Sequence, residues 1–469
     1  MTLLTATYRE KRHFYDAQAR QIVSSVAELG RALELDPVAL ELFLHVGWVP
    51  GDHTLFHNVE CLPGGATIES RPDGLRVQKQ AIRRDESAAR MDVAEAARRA
   101  TDLFDQAVIE GLGRSGTPVV PLSGGLDSRA VLAALLRHRS PRDIVTLTFG
   151  VPGSLDYEIG NAVARRAGTR HVELDLRTRD LDCDRLMRTA DWTDANTDIV
   201  FPAVWTFIHD ELGNSDVTYW TGFTGDGIGG SHALPPGGSI ESGKRKVIGK
   251  VRPLSFFGND FRVEPHHLDM VSDGSKFAET LSLEESVWFE NHVERYTAHH
   301  LFMRHMSHEN PFMHPDLVSL FLSLPHEMRV AKRVFNPWVL DEYRSLFEGL
   351  PTADYGYARF ATTTPRLVRT VARSQWTGRR IARRVASRLL PRRLAHPNTT
   401  YWPLTRDLRR RGKLDELARE MLNSLARRGL VDRRRLAQRH EAHRRGRSTH
   451  TLGLTLLISL EAIARRFLD

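Results

Sequence analysis

The stretch VVPLSGGLDSRAVLAALL, residues 119–136, decides the fold. An apolar, β-branched run enters Ser-Gly-Gly-Leu-Asp-Ser and passes straight back into apolar residues at helical spacing. It reads as a strand over 118–122 turning tightly into a helix over 127–138. A chain turns that sharply where something must sit close to its backbone, and glycine permits the approach. Gly124 and Gly125 are expected to let backbone N–H groups converge at the start of the helix, where orphan amides and the helix dipole favour an anion. Ser123 and Ser128 add hydroxyl donors, so the loop suits phosphate.

Asp127 points the same way. A carboxylate beside a phosphate cradle repels it unless a divalent cation lies between, which makes Asp127 a candidate Mg²⁺ ligand. A second loop, TGFTGDGIGGSH over 221–232, sets Asp226 among five glycines, beginning at Gly222. The two acids at two strand ends form a candidate site for one Mg²⁺. The chain contains no GxxxxGK[ST] and no GxGxxG at a first βα turn, which excludes the P-loop and dinucleotide-binding forms. The plain alternative is a pair of glycine turns capped by serine and aspartate. The strand before, the helix after and the flanking hydroxyls favour the phosphate reading.

Outward from these loops the pattern is α/β. A helix is expected over 91–112, ended by Gly111 and Gly113. Strands are expected over 144–149, 171–176 and 217–222, with a helix over 156–167, and this alternation implies a mostly parallel sheet. Residues 1–80 read as short strands separated by turns at Pro50-Gly51-Asp52, Pro63-Gly64-Gly65 and Pro72-Asp73-Gly74. Residues 276–345 read as mainly helical, and 366–393 as an arginine-rich amphipathic stretch. The final apolar run, Leu454 to Leu460, is cut short by Glu461 and the Arg465–Arg466 pair, which suits a terminal amphipathic helix packed on the body rather than a membrane span.

At 469 residues the chain exceeds one hydrophobic core and suits two or three domains. A formal charge of +8 allows nucleic acid or anionic metabolites as partners without choosing between them. Two cysteines, Cys61 and Cys183, support neither a disulfide framework nor a thiolate zinc site. With no signal-peptide pattern at the start, a cytoplasmic location is expected.

SGGLDS resembles the pyrophosphate loop of the N-type ATP pyrophosphatases, and PLSGGLDSRAVLAALL resembles the synthetase domain of the glutamine-dependent asparagine synthetases. TGFTGDGIGGSH is similar to that family's Gly-x-Gly-x-Asp-Glu segment, with Asp226 on its magnesium-binding aspartate and Gly222 on its first glycine. DYEIGNAVARRAG (156–168) matches the region after the second strand, and NPFMHPDLVSLFLSLPHEMRV (310–330) a later one. The resemblance covers about 85–345. It implies a parallel-sheet ATP pyrophosphatase domain (adenine nucleotide alpha hydrolase-like) with a helical C-terminal part over 346–469 and a small N-terminal β region over 1–80. The implied activity is AMP-forming amide synthesis, in which ATP and Mg²⁺ activate a carboxylate as an acyl-adenylate for attack by ammonia or an amine. The implied nucleotide contacts are Leu122, Ser123, Gly124, Gly125, Leu126, Asp127, Ser128 and Gly222. The metal ligands would be Asp127 and Asp226, and the family's reaction-centre lysine would correspond to Lys332 or Arg359.

Departures from the family narrow the expectation. FLHVGWVPGDHTLFHNVECLPGGATI resembles the closing strands of the family's amidotransferase domain, yet Thr2 stands where the nucleophilic cysteine belongs and only some 80 residues precede the linker helix. Glutamine hydrolysis by this chain is not expected; free ammonia, a separate glutaminase or an amine on the substrate would supply nitrogen. Phe223 replaces a family glutamate, and Gly227 follows Asp226 where the family has another. Both changes alter the pocket that takes aspartate, unless Asp194, Asp198 or Glu158 restores the charge. Similar departures occur in relatives that build β-lactams, close lasso peptides or amidate sugars, so a peptide or glycan acceptor is open. The alternatives are a true asparagine synthetase, an RNA-modifying ATP pyrophosphatase suggested only by the 366–393 arginines, and an inactive scaffold. Trp192 and Trp205 fall near the expected pocket. His232 suits phosphate contact or packing, while His299, His300, His305 and His308 read as surface or satisfied core residues.

Overall fold

A computed structural model describes residues 2–4, 12–72, 74–212, 216–250, 261–301, 303–352, 402–410 and 412–469. The 366–393 arginine stretch and Arg359 lie outside the described residues. The centre is a five-stranded parallel sheet of β7 (Thr117–Pro121), β8 (Val145–Gly150), β9 (Arg170–Asp175), β10 (Val217–Trp220) and β11 (Ser307–Glu309), in the order β11-β10-β7-β8-β9. From β7 the chain progresses through β8 and β9 on one side, then returns to lay β10 on the other. The carboxyl ends of β7 and β10 are therefore neighbours at a topological switch point, where open α/β sheets hold their ligands. Val145 to Thr148 are all buried, as helices on both faces of a parallel sheet require.

The α/β architecture expected from the sequence is observed. The helix Asp127–His138 matches its expected bounds, and Leu155–Ala167 and the strands fall within two residues of theirs. The helix Val93–Arg114 corrects one expectation, since it runs through both glycines meant to end it. A Cβ at Gly111 would lie 2.6 Å from the Trp220 ring, so this glycine serves the packing of helix on sheet. The strand β11 was not legible in the sequence: Ser-His-Glu has no apolar alternation, and its pairing with β10 defines it.

The N-terminal region holds β1 (Thr2–Leu4), β2 (Phe14–Asp16), β3 (Gln21–Val23), β4 (Val59–Cys61), β5 (Ala66–Arg71) and β6 (Gly74–Lys79), in two antiparallel sheets ordered β1-β5-β6 and β3-β2-β4. It also contains a helix the turn signals had hidden, Pro37–Val46, capped by the Asp36 side chain and ended by Gly47 at φ 88°. The main hydrophobic core is continuous from Phe14 to Phe467. The terminal helix Thr451–Phe467 packs on the body but is less amphipathic than expected, with every residue from Gly453 to Ala464 buried. Buried Glu461 is neutralised by Arg428 and Arg465, each at 2.8 Å. Among the described residues no helix is long and apolar enough to cross a membrane.

Candidate active site

The loop after β7 is held from three sides. The Leu122 amide extends the ladder to the Leu147 carbonyl at 2.7 Å, after which the chain leaves the sheet. The Gly124 amide donates to Asp156 Oδ1 at 2.8 Å, and the Gly124 carbonyl accepts from Arg129 Nη2 at 3.2 Å. The Gly125 amide donates to Ser123 Oγ at 3.1 Å, and the Ser123 amide to Ser128 Oγ at 3.3 Å. The glycine amides that the sequence suggested as the anion cradle are thus satisfied inside the protein. In this loop and the helix start that follows it, the amides of Leu126, Ser128 and Arg129 have no partner among the described residues, because the first helical turn leaves its donors unused.

Arg129 is completely buried behind this loop, and it also donates to the Pro351 carbonyl. Burial pulls its pKa down to about 10, so it still carries its charge at neutral pH.

The loop after β10 closes against the first with no space to spare. A Cβ on Gly222 would lie 2.5 Å from the Asp127 backbone carbon, and one on Gly225 would lie 2.8 Å from Asp127 Cγ. This fit lets the Asp226 amide donate to Asp127 Oδ2 at 2.8 Å, which brings the two sequence-selected acids together from separate strand ends. Thr224, where the family pattern has its second glycine, sits at φ 78°, a strained conformation for a β-branched residue. Asn310 Nδ2 steadies it by donating to the Phe223 carbonyl at 2.8 Å.

Lys332 reaches the site by a backbone device. Gly230, at φ 100°, lies against the Arg329 carbonyl with no space for a Cβ. Arg329 is fixed by a buried two-point pair with Glu285 at 2.5 and 2.9 Å. Ala331 and Lys332 then turn at φ 54° and 58°, and the Lys332 ammonium pairs with the Asp226 carboxylate.

These residues border a cavity of about 560 Å³. Leu122, Ser123, Gly125, Leu126, Asp127, Ser128, Gly222, Asp226 and Lys332 line it, whereas Gly124 does not. Sequence reasoning missed the role of Asp156, which lines the cavity and grips the loop. It also missed Phe149, Phe201, Pro202, Tyr296, His300 and Leu301, which carry no motif. His300, expected as a surface or core residue, lines the cavity. Its Nδ1 donates to the Tyr296 carbonyl at 2.9 Å while Nε2 accepts from Thr197 Oγ1 at 2.9 Å. Burial lowers its pKa to about 4, so the ring is neutral. Trp205 lines the cavity, but Trp192 packs edge-on against His209 elsewhere. His232 packs on Trp288 and His292.

The acids that were candidates to restore a substrate-facing charge are occupied elsewhere. Asp194 is buried between Arg12 at 2.9 Å and Arg304 at 2.5 Å. Asp198 accepts from the Thr455 and Ser459 hydroxyls, with burial raising its pKa. Glu158 accepts from the Gly153 amide. Among the described residues, the charged lining of the cavity is Asp127, Asp156 and Asp226 with Lys332. Glu41, His266 and His267 also cluster, outside this lining. His267 Nδ1 accepts from the Glu264 amide at 3.0 Å, which leaves its proton on Nε2 facing Glu41, the tautomer opposed to metal binding there.

The family model for asparagine synthase matches residues 99–465, and the chain belongs to that family. A putative asparagine synthetase [glutamine-hydrolyzing] from Mycobacterium tuberculosis is 27% identical over 168 residues, covering 33% of this chain and 24% of the relative. Asparagine synthetase [glutamine-hydrolyzing] 3 from Arabidopsis thaliana is 38% identical over 85 residues, 16% of this chain and 15% of that protein. The matched region thus spans a quarter or less of these curated relatives.

Proposed function

We propose that this protein is an ATP-dependent amidoligase that activates a carboxylate as its acyl-adenylate, releases pyrophosphate and passes the acyl group to ammonia or an amine. The observation carrying this reading is the contact between the Asp226 amide and the Asp127 carboxylate at the switch point of the sheet. Two glycine loops from different strands converge there on one pair of acids.

Among the described residues the cavity is lined by three carboxylates and one ammonium; a polyphosphate bound beside those carboxylates calls for a cation between them, and the oxygen donors of Asp127 and Asp226 suit Mg²⁺. Asp127 and Asp226 would hold it, and when bound it neutralises phosphate charge and makes the α-phosphorus more electrophilic. The amides of Leu126 and Ser128, with one proton of the mutually bonded Ser123 and Ser128 hydroxyls, supply donors for phosphoryl oxygens at a helix start. Lys332 sets an ammonium beside Asp226 to stabilise the charge that develops during transfer. Phe149, Phe201, Trp205 and Leu301 give the cavity one apolar side, which helps keep water from an acyl-adenylate.

The names of the relatives include glutamine hydrolysis, but of the two cysteines in this sequence Cys61 is completely buried, and Cys183 accepts from Arg465 with burial raising its pKa. We therefore assign nitrogen supply to ammonia, an amine substrate or a separate glutaminase. Pyrophosphate release by the purified protein with MgATP and a panel of carboxylic acids, with ammonium or glutamine, tests the proposal. Acid-dependent release is expected, and it must vanish in Asp127→Ala and Asp226→Ala proteins that remain folded. ATP turnover near the unsubstituted rate in either variant removes that residue from the site.

A further inference from the structure

Residues 12–98, outside the family match, dock on the segments that build the apolar lining of the cavity. The docking is made largely by backbone. The Val49 amide donates to the Asn196 carbonyl at 3.2 Å, the Asp198 amide to the Gly47 carbonyl at 3.0 Å, and the Leu55 amide to Asn196 Oδ1 at 3.1 Å. Trp48 and Thr197 form an isolated antiparallel bridge between these contacts. On the other side, the Gly51 amide donates to Asn291 Oδ1 at 3.0 Å, and Arg295 donates to the His53 carbonyl.

Both anchored segments run directly into the lining. Residues 196–198 lead to Phe201 and Pro202, and residues 291–295 lead to Tyr296, His300 and Leu301. The Thr197 hydroxyl on His300 Nε2 joins the two into one wall. Trp48 is the keystone of this arrangement. It is 1% exposed and meets the Tyr296 ring edge-on, with centroids 5.5 Å apart, while its own backbone pairs with Thr197. Its indole Nε1 has no hydrogen-bond partner among the described residues, so Trp48 acts here by shape.

We propose that segment 47–55 is a working part of the pocket for the carboxylate substrate, with Trp48 as a positioning residue that sets the Thr197–His300–Tyr296 wall against that substrate. Among the described residues this wall carries no charge, since His300 is neutral and its neighbours are Phe201, Pro202, Tyr296 and Leu301. It therefore suits an acid with an aromatic or aliphatic body rather than one bearing an ammonium group. This rests on the amidoligase reading for the identity of the substrate, but not for the role of Trp48 in shaping the wall.

The test compares Trp48→Ala and Trp48→Phe with Ile68→Ala, which empties the separate small core of Leu62, Ala66 and Ile68. With the best acid from a panel of aryl and alkyl carboxylates, Trp48→Ala should raise KM for the acid at least tenfold and leave KM for MgATP within twofold. Trp48→Phe should restore the unsubstituted value, because a ring remains and no hydrogen bond is lost. Ile68→Ala should lower Tm without changing either KM. Equal effects of Trp48→Ala and Ile68→Ala, or a rise confined to KM for MgATP, overturn the proposal. If no acid supports pyrophosphate release, the amidoligase reading fails separately. Hydrogen exchange without ligand then decides the structural claim: Trp48→Ala must deprotect 194–202 and 291–301, Ile68→Ala must not, and unchanged protection in Trp48→Ala refutes it.

Discussion

Gly222→Ala isolates the contact between the two loops. Gly222 has no positive φ, so alanine meets no backbone strain there and its only new feature is a methyl group. That methyl would lie 2.5 Å from the Asp127 carbonyl carbon and 2.6 Å from the Ser128 amide nitrogen, about 0.9 Å inside the 3.4 Å at which ordinary contact begins. Both neighbours are backbone at the first turn of the helix, so neither can rotate aside and the two loops must separate. Overpacking of this kind costs about 1–3 kcal/mol of stability. A displacement near 1 Å between reacting groups lowers a rate roughly 100-fold. Pyrophosphate release should therefore fall by about two orders of magnitude, with a urea midpoint lowered by no more than that stability cost, measured by far-UV circular dichroism. Gly113→Ala is the control: the residue is helical, a methyl there meets nothing within 4 Å, and the change should stabilise by about 0.5–1 kcal/mol with full activity. Activity of Gly222→Ala within threefold of the unsubstituted protein would falsify the idea that the two loops act as one site.

Free aspartate should be a poor substrate beside larger, less charged carboxylates. The cavity acids engage Gly124, the second loop and Lys332, and an ammonium stripped of water without a partner costs on the order of several kcal/mol. Efficient conversion of aspartate to asparagine, measured by amino-acid chromatography, refutes this. Ammonium or an amine should support amide formation where glutamine alone does not, and glutamate released from glutamine by the isolated chain is the contrary result. Stability should decline as pH falls from about 6.5 toward 4. His300, held near 4, stays neutral in the fold while the unfolded chain gains protons below 6.5, worth on the order of 3 kcal/mol by pH 4. His45 and His308, lowered by burial to about 4 and about 3, act in the same direction. A urea midpoint that stays flat or rises between pH 7 and 5 contradicts the argument.

What the sequence determined by itself was local. The turn from β7 into Asp127–His138, the alternation of strand and helix, and the two aspartates among glycines depend on residues close along the chain, where periodicity and loop chemistry can be read directly. The site as a constellation was decided by tertiary structure. Only the return of the chain to lay β10 beside β7 brings Asp226 to Asp127 across 99 positions, and no local pattern encodes strand order. Lys332 reaches Asp226 through a left-handed turn made by Ala331 and Lys332, residues whose types give no hint of positive φ; the buried Glu285–Arg329 pair and the bare face of Gly230 anchor it. The apolar wall is assembled from 197–205 and 296–301 and backed by Trp48. In sequence these residues look like ordinary core, because burial against a neighbour and burial against a cavity select the same side chains.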